Sequence, residues 1–79
     1  MASVTVRYFA ALREVKGVEQ ETLEVEPGTT LGALYQQLFG ATEYARLPVA
    51  CARNREYARP KDAVMDGDEI AYLPPIGGG

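Results

Sequence analysis

The chain has 79 residues, of which 47% are hydrophobic, with one cysteine, no histidine and a formal net charge of −3. A chain of that length makes one small domain, with too little core to wall off a deep catalytic cavity, and so suits a binding or carrier module better than a self-sufficient enzyme. Without histidine there are no Ser-His or Cys-His nucleophile pairs and no His-ligated metals. One cysteine cannot form an intrachain disulfide or a thiolate zinc site, and the eight basic residues are too scattered to bind a nucleic-acid backbone.

Residues 3–9 alternate, with Val4, Val6 and Tyr8 on one face and Thr5 and Arg7 on the other, which predicts a strand. Residues 10–20 contain Gly17 and read as a long connection. Residues 21–26 alternate again, Leu23 and Val25 inward, and Pro27-Gly28 ends that strand. The period then changes. Leu31, Leu34, Tyr35 and Leu38 form the stripe of an amphipathic helix, which Thr30, or failing it Thr29, can cap and Gly40 can end in a left-handed conformation. Gly32 weakens its first turn and suggests a close approach to the sheet. Residues 47–53 predict a third strand with Pro48 near its start and Val49 and Cys51 on one face. Asn54-Arg55 is a turn, residues 56–58 a short strand ended by Pro60, Asp66-Gly67-Asp68 a turn, and residues 69–73 the last strand, with Ile70 and Tyr72 inward. Pro74-Pro75 has no N–H to donate and stops pairing. One main helix on one face of a mixed sheet is a two-layer α+β fold.

No apolar run approaches the ~20 residues of a membrane span. The start, Met1-Ala2-Ser3, leads straight into a strand pattern with no signal-peptide character, so a cytoplasmic protein is expected. The acidic run Asp62, Asp66, Asp68 and Glu69 lacks calcium-loop spacing and reads as a solvated turn. Arg53-Asn54-Arg55 reads as two solvated arginines at a turn, and Cys51 as a small core residue with nothing nearby to activate its thiol. That leaves the end of the chain. Residues 1–75 are expected to form the domain and residues 76–79 a flexible tail. Pro74-Pro75 favours an extended exit from the last strand, Ile76 is a single apolar anchor, and Gly77, Gly78 and Gly79 can pass where any Cβ would collide. The composition of the glycines alone also fits a loose end. Their place after a strand and two prolines makes them a directed tail.

Three segments carry a resemblance. Arg7-Tyr8-Phe9-Ala10-Ala11-Leu12-Arg13-Glu14 is similar to the first strand and following loop of the MoaD family, the small sulfur-carrier subunits of molybdopterin synthase. Ala52-Arg53-Asn54-Arg55-Glu56-Tyr57 resembles that family's asparagine-containing turn. Asp66-Gly67-Asp68-Glu69-Ile70-Ala71-Tyr72-Leu73-Pro74-Pro75, running into the glycines, resembles its end. The resemblance covers essentially the whole chain and implies a ubiquitin-like β-grasp fold.

It also implies a mechanism. An E1-like adenylyltransferase uses ATP to turn the Gly79 carboxylate into an acyl adenylate. A sulfur donor, such as a cysteine desulfurase or a rhodanese-type protein, replaces AMP and leaves a thiocarboxylate. The tail enters the large subunit of molybdopterin synthase, in a heterotetramer, and passes sulfur to a pterin precursor. The thiocarboxylate is the covalent carrier group, and no bound cofactor or metal is implied. Gly79 and Gly78 carry the chemistry, Gly77, Ile76 and Pro75 line the tail's passage, and Phe9, Tyr57, Leu73 and Arg13 match positions at the large-subunit interface. Ordinary burial of Tyr57 and Leu73 and a solvated Arg13 are the competing readings. Arg53 departs from the small apolar residue usual before the asparagine, and Gly77 extends the usual glycine pair. Related carriers serve thiamine thiazole synthesis or tRNA thiolation, or become protein modifiers. A non-covalent β-grasp binding module with an inert tail is the alternative of a different class.

Overall fold

Alternation organises the sheet as expected. Val4, Val6 and Tyr8 of β1 (Ala2–Tyr8) and Ile70 and Tyr72 of β5 (Glu69–Leu73) all point into one buried layer. The computed structural model describes residues 1–75. Its other elements are α1 (Ala10–Lys16), β2 (Gln20–Val25), α2 (Leu31–Phe39), β3 (Ala50–Arg53) and β4 (Glu56–Ala58). The strands lie in the order β2-β1-β5-β3-β4. β1 and β5 run parallel and every other pairing is antiparallel. The last strand in sequence is therefore the middle strand in space.

α2 begins where Thr30 leaves extended geometry and its hydroxyl accepts the Ala33 N–H at 3.1 Å, a cap worth about 1 kcal/mol. Thr29 instead donates its hydroxyl to the Glu26 carbonyl. The helix buries Leu31, Leu34, Tyr35 and Phe39 against the sheet. Phe39 meets Tyr8 edge-on with ring centroids 5.7 Å apart and stacks on Tyr35 at 4.9 Å, while Tyr35 meets Tyr72 at 5.1 Å. Buried hydroxyls need partners. Tyr72 donates to the Leu31 carbonyl at 2.6 Å, Tyr35 to the Tyr44 carbonyl at 2.7 Å and Tyr8 to the Glu21 carboxylate at 2.5 Å.

Four expectations are corrected. Residues 10–16 are a helix, α1, and only the rest of the expected connection is loop. Its chain reversal is made by Ala10 at φ 52°, its end by Gly17 in the left-handed conformation, and its one fully buried side chain is Leu12. Gly40 follows α2 at φ −62°, right-handed, so the helix ends without a left-handed residue. β3 starts at Ala50: Pro48 has no N–H for a ladder, although Val49 still packs against the core. Gly32 approaches the 59–62 segment and not the sheet. A Cβ there would lie 3.1 Å from Pro60 Cβ, and the Gly32 N–H donates to the Pro60 carbonyl at 2.9 Å.

Among the described residues no helix is long and apolar enough to cross a membrane. The expected tail, residues 76–79, lies outside the described residues.

Candidate docking face beside the exit of the last strand

The strand parity that buries Ile70 and Tyr72 turns Ala71 and Leu73 to the opposite, outer face of the sheet. Ala52 sits outward likewise, next to the buried Cys51. The register places Tyr57, Ala52, Ala71 and Arg7 in one row across β4, β3, β5 and β1. The two alanines leave a floor of methyl groups only. Phe9, Tyr57, Leu73 and Arg55 rise around it, and together these six residues enclose a shallow depression of about 230 Å³. Tyr57 is 82% exposed, unusual for an aromatic, and Phe9 is 37% exposed with only the Arg7 guanidinium over its ring. Leu73 is half-buried, and Pro74, buried, follows it directly. The depression therefore borders the point where the chain leaves the sheet toward residues 76–79.

The local folding explains the placement. Phe9 is the last extended residue after β1, one step out of phase with the buried Tyr8, so its ring lands outside. Asn54 and Arg55 join β3 to β4 in a two-residue turn with φ 53° and 70°. Positive φ at both central positions is the requirement of a type I′ turn. Asn54 locks it. Its backbone N–H donates to the Glu69 carbonyl at 2.7 Å, its amide donates to Asp68 at 3.0 Å, and its side-chain oxygen accepts the Glu69 N–H at 2.9 Å. The buried Asp68 carboxylate also accepts the Met65 N–H at 2.7 Å. The turn that carries Arg55, and through β4 Tyr57, is thus fastened to the start of the exit strand.

Of the four interface residues proposed from sequence, Phe9, Tyr57 and Leu73 come together around this depression. Arg13 does not: it lies on α1 and pairs with Glu19 at 3.6 Å. Sequence reasoning did not single out Arg7, Ala52, Arg55 or Ala71 for this surface. Period-two parity with Leu73 and Tyr57 is the signal that places Ala71 and Ala52 outward, but it does not say which strands are neighbours. Pro75 is exposed beyond Pro74, and the expectations for Ile76, Gly77, Gly78 and Gly79 fall outside the described residues.

A larger hollow of about 310 Å³ lies between α2 and residues 45–49, with Cys51 on its wall. Burial, and secondarily the nearby Asp62 charge, push the Cys51 thiol above its ordinary pKa, which leaves it less nucleophilic. The Tyr35 and Tyr72 hydroxyls there are already hydrogen-bonded, and burial raises both pKa values. Among the described residues no group of three or more metal-ligating side chains is gathered. The arrangement can bind a protein surface and present a strand end.

Two layers, with a parallel β1–β5 pair at the middle of a five-stranded mixed sheet, define a ubiquitin-like β-grasp domain. The chain belongs to the ThiS family, whose pattern matches residues 6–79. It is 40% identical over 81 residues to the molybdopterin synthase sulfur carrier subunit of Chlamydomonas reinhardtii, covering 96% of this chain and 98% of that one. It is 38% identical over 85 residues to the subunit of the same description from Mycobacterium tuberculosis, covering both completely. Among solved structures it resembles the small archaeal modifier protein 1 of Haloferax volcanii, with TM-score 0.80, 29% identity and coverage of 96% of this chain and 100% of that one. It also resembles a chain in the complex of subunits 1 and 2 of the molybdopterin-converting factor of Helicobacter pylori, with TM-score 0.64, 29% identity and coverage of 98% and 99%.

Proposed function

We propose that this chain is the sulfur-carrier subunit of a molybdopterin synthase, a small protein that works within a complex and not as an enzyme alone. The observation that carries the reading is the joining, in one place, of an exposed apolar face and the end of the central strand, in a chain related over its whole length to subunits of that description. Residues 1–75 serve as the docking body and residues 76–79 as the carrier tail.

The chemistry belongs to the Gly79 carboxylate. A carboxylate is a poor electrophile because its oxygen leaves badly. An E1-like adenylyltransferase joins it to AMP from ATP, releasing pyrophosphate. The outer sulfur of a persulfide on a cysteine desulfurase or rhodanese-type donor then forms the C–S bond as AMP departs, and a thiol reductant cleaves the resulting acyl disulfide to leave the thiocarboxylate. Gly78 and Gly77 give slim passage, Ile76 and Pro75 seat the base of the tail, and Phe9, Tyr57 and Leu73 dock on the large synthase subunit in a heterotetramer. Sulfur passes there to a pterin precursor. The carrier group is the thiocarboxylate itself, with no bound cofactor, and the site of action is the cytoplasm.

The test is intact-mass measurement after incubation with an activating enzyme, ATP and a sulfur donor. The expected gain equals the difference between a sulfur and an oxygen atom. No gain, or undiminished pterin sulfuration after deletion of Gly78 and Gly79, refutes the reading. A second reading, a protein modifier, draws on the likeness to the archaeal modifier protein. It requires isopeptide-linked conjugates of this chain on lysines of other proteins.

A further inference from the structure

Arg55 stands where the backbone disfavours it. Both central residues of a type I′ turn need positive φ, and asparagine followed by glycine is the relaxed pair. This turn has Asn54 at φ 53° followed by Arg55 at φ 70°. Asparagine tolerates that region through its short polar side chain, whereas arginine has no such compensation. Its side chain gains little at home: it is 86% exposed, and its one ion pair, to Glu69, is long at 3.8 Å. Strained backbone retained at a docking surface points to a use for the side chain.

The charge around the depression indicates that use. Arg7 and Arg55 share the single carboxylate of Glu69, at 3.3 and 3.8 Å. Arg7 also lies over the Phe9 ring, 5.9 Å from its centroid. The rim of the apolar face therefore carries an excess positive charge in a chain whose net charge is −3. Glu56, the nearest further acid along β4, does not line this depression: it faces a neighbouring polar hollow with Arg53, Asn54 and Asp62, on the far side of Tyr57, which borders both.

We propose that Arg55 is a specificity-determining contact of the docking face, held at the tip of the β3–β4 turn to meet a carboxylate on the partner protein beside the apolar residue that fills the depression. The inference rests on the docking role proposed above and adds the partner's chemistry: an apolar protrusion flanked by an acidic side chain. Glu69, the one carboxylate that both arginines approach, leaves them short of one negative charge, which the partner's carboxylate supplies.

The test compares the full chain with its Arg55→Gly, Arg55→Lys and Tyr57→Ala variants. Affinity for the large subunit of the cognate molybdopterin synthase is measured at low and high salt, alongside thermal melting. Arg55→Gly should raise the melting temperature by about 4 °C, because glycine relaxes the turn. It should weaken binding roughly fivefold at low salt and flatten the salt dependence. Arg55→Lys should retain most of the salt dependence. A residue kept only for the fold would not move stability and affinity in opposite directions. If Arg55→Gly binds like the wild type while Tyr57→Ala does not, the arginine contact is wrong and the docking face stands. If the unmodified chain does not bind the large subunit, the docking reading fails and the inference with it.

Discussion

Replacing Tyr57 by alanine separates docking from folding, because the side chain is 82% exposed in the free protein. Little of its surface is buried by its own chain, so stability should change by less than about 0.5 kcal/mol. A docked partner would cover what is now open. A tyrosine offers on the order of 150 Å² for burial, and at about 25 cal/mol per Å² that is worth near 4 kcal/mol before costs. Ordering the side chain removes about 1 kcal/mol, leaving roughly 3 kcal/mol, or about a hundredfold in Kd. Isothermal titration of wild type and Tyr57→Ala against the large synthase subunit, with thermal melts of both, measures the two quantities together. An affinity within twofold of wild type would refute the reasoning. A loss of binding accompanied by a large drop in melting temperature would refute it too, since it would mean that Tyr57 supports the fold.

Three other outcomes follow from the core and its fastenings. Tyr72→Phe removes the 2.6 Å bond to the Leu31 carbonyl without changing the packing, and should cost about 1 kcal/mol in urea unfolding. Asn54→Ala loses both side-chain bonds to residues 68 and 69 and puts alanine at φ 53°. It should cost about 2–3 kcal/mol, and Asn54→Gly less, because only the bonds are lost. Burial raises the pKa values of Tyr8, Tyr35 and Tyr72, helped at Tyr8 by the hydrogen bond and charge of Glu21. Below the ordinary tyrosine value of 10.0 both states keep these protons. Above it the unfolded chain loses protons that the folded chain retains, so stability should fall as pH rises past 10 and on toward the folded values. Melting temperatures measured across that range should drop, and less steeply in Tyr72→Phe.

What was legible in the sequence depended on how each element advertises itself. β1 and β5 alternate cleanly, and α2 has both a stripe and a capping threonine, so all three are readable. α1 has neither: among its seven residues only Leu12 is fully buried, Val15 faces solvent, no side chain caps it, and its first residue is left-handed. Only a neighbouring sheet makes such a segment a helix. Leu47 and Val49 look like strand because they are apolar and alternate. Pairing ends at Ala50 opposite Leu73, where Pro48 on one side and Pro74 on the other lack the N–H that a longer ladder would need. The docking face was half legible. Phe9, Tyr57 and Leu73 came from motif resemblance. The alanine floor and Arg55 depend on which strands lie side by side, which parity alone does not reveal, while Arg13, also matched by the resemblance, sits on α1 paired with Glu19 and does not line this depression.

The central position of β5 has a mechanical consequence. Its ladder bonds to β1 on one flank and β3 on the other lie across the strand direction. A pull on Pro74 along the strand therefore loads both ladders in shear, many bonds at once, instead of peeling one edge bond by bond. Because β1 is parallel to β5, the start of the first strand and the end of the last sit at opposite ends of the sheet, so tension between them also acts in shear. Tension applied at Pro74 thus meets both ladders together before β5 can leave the sheet.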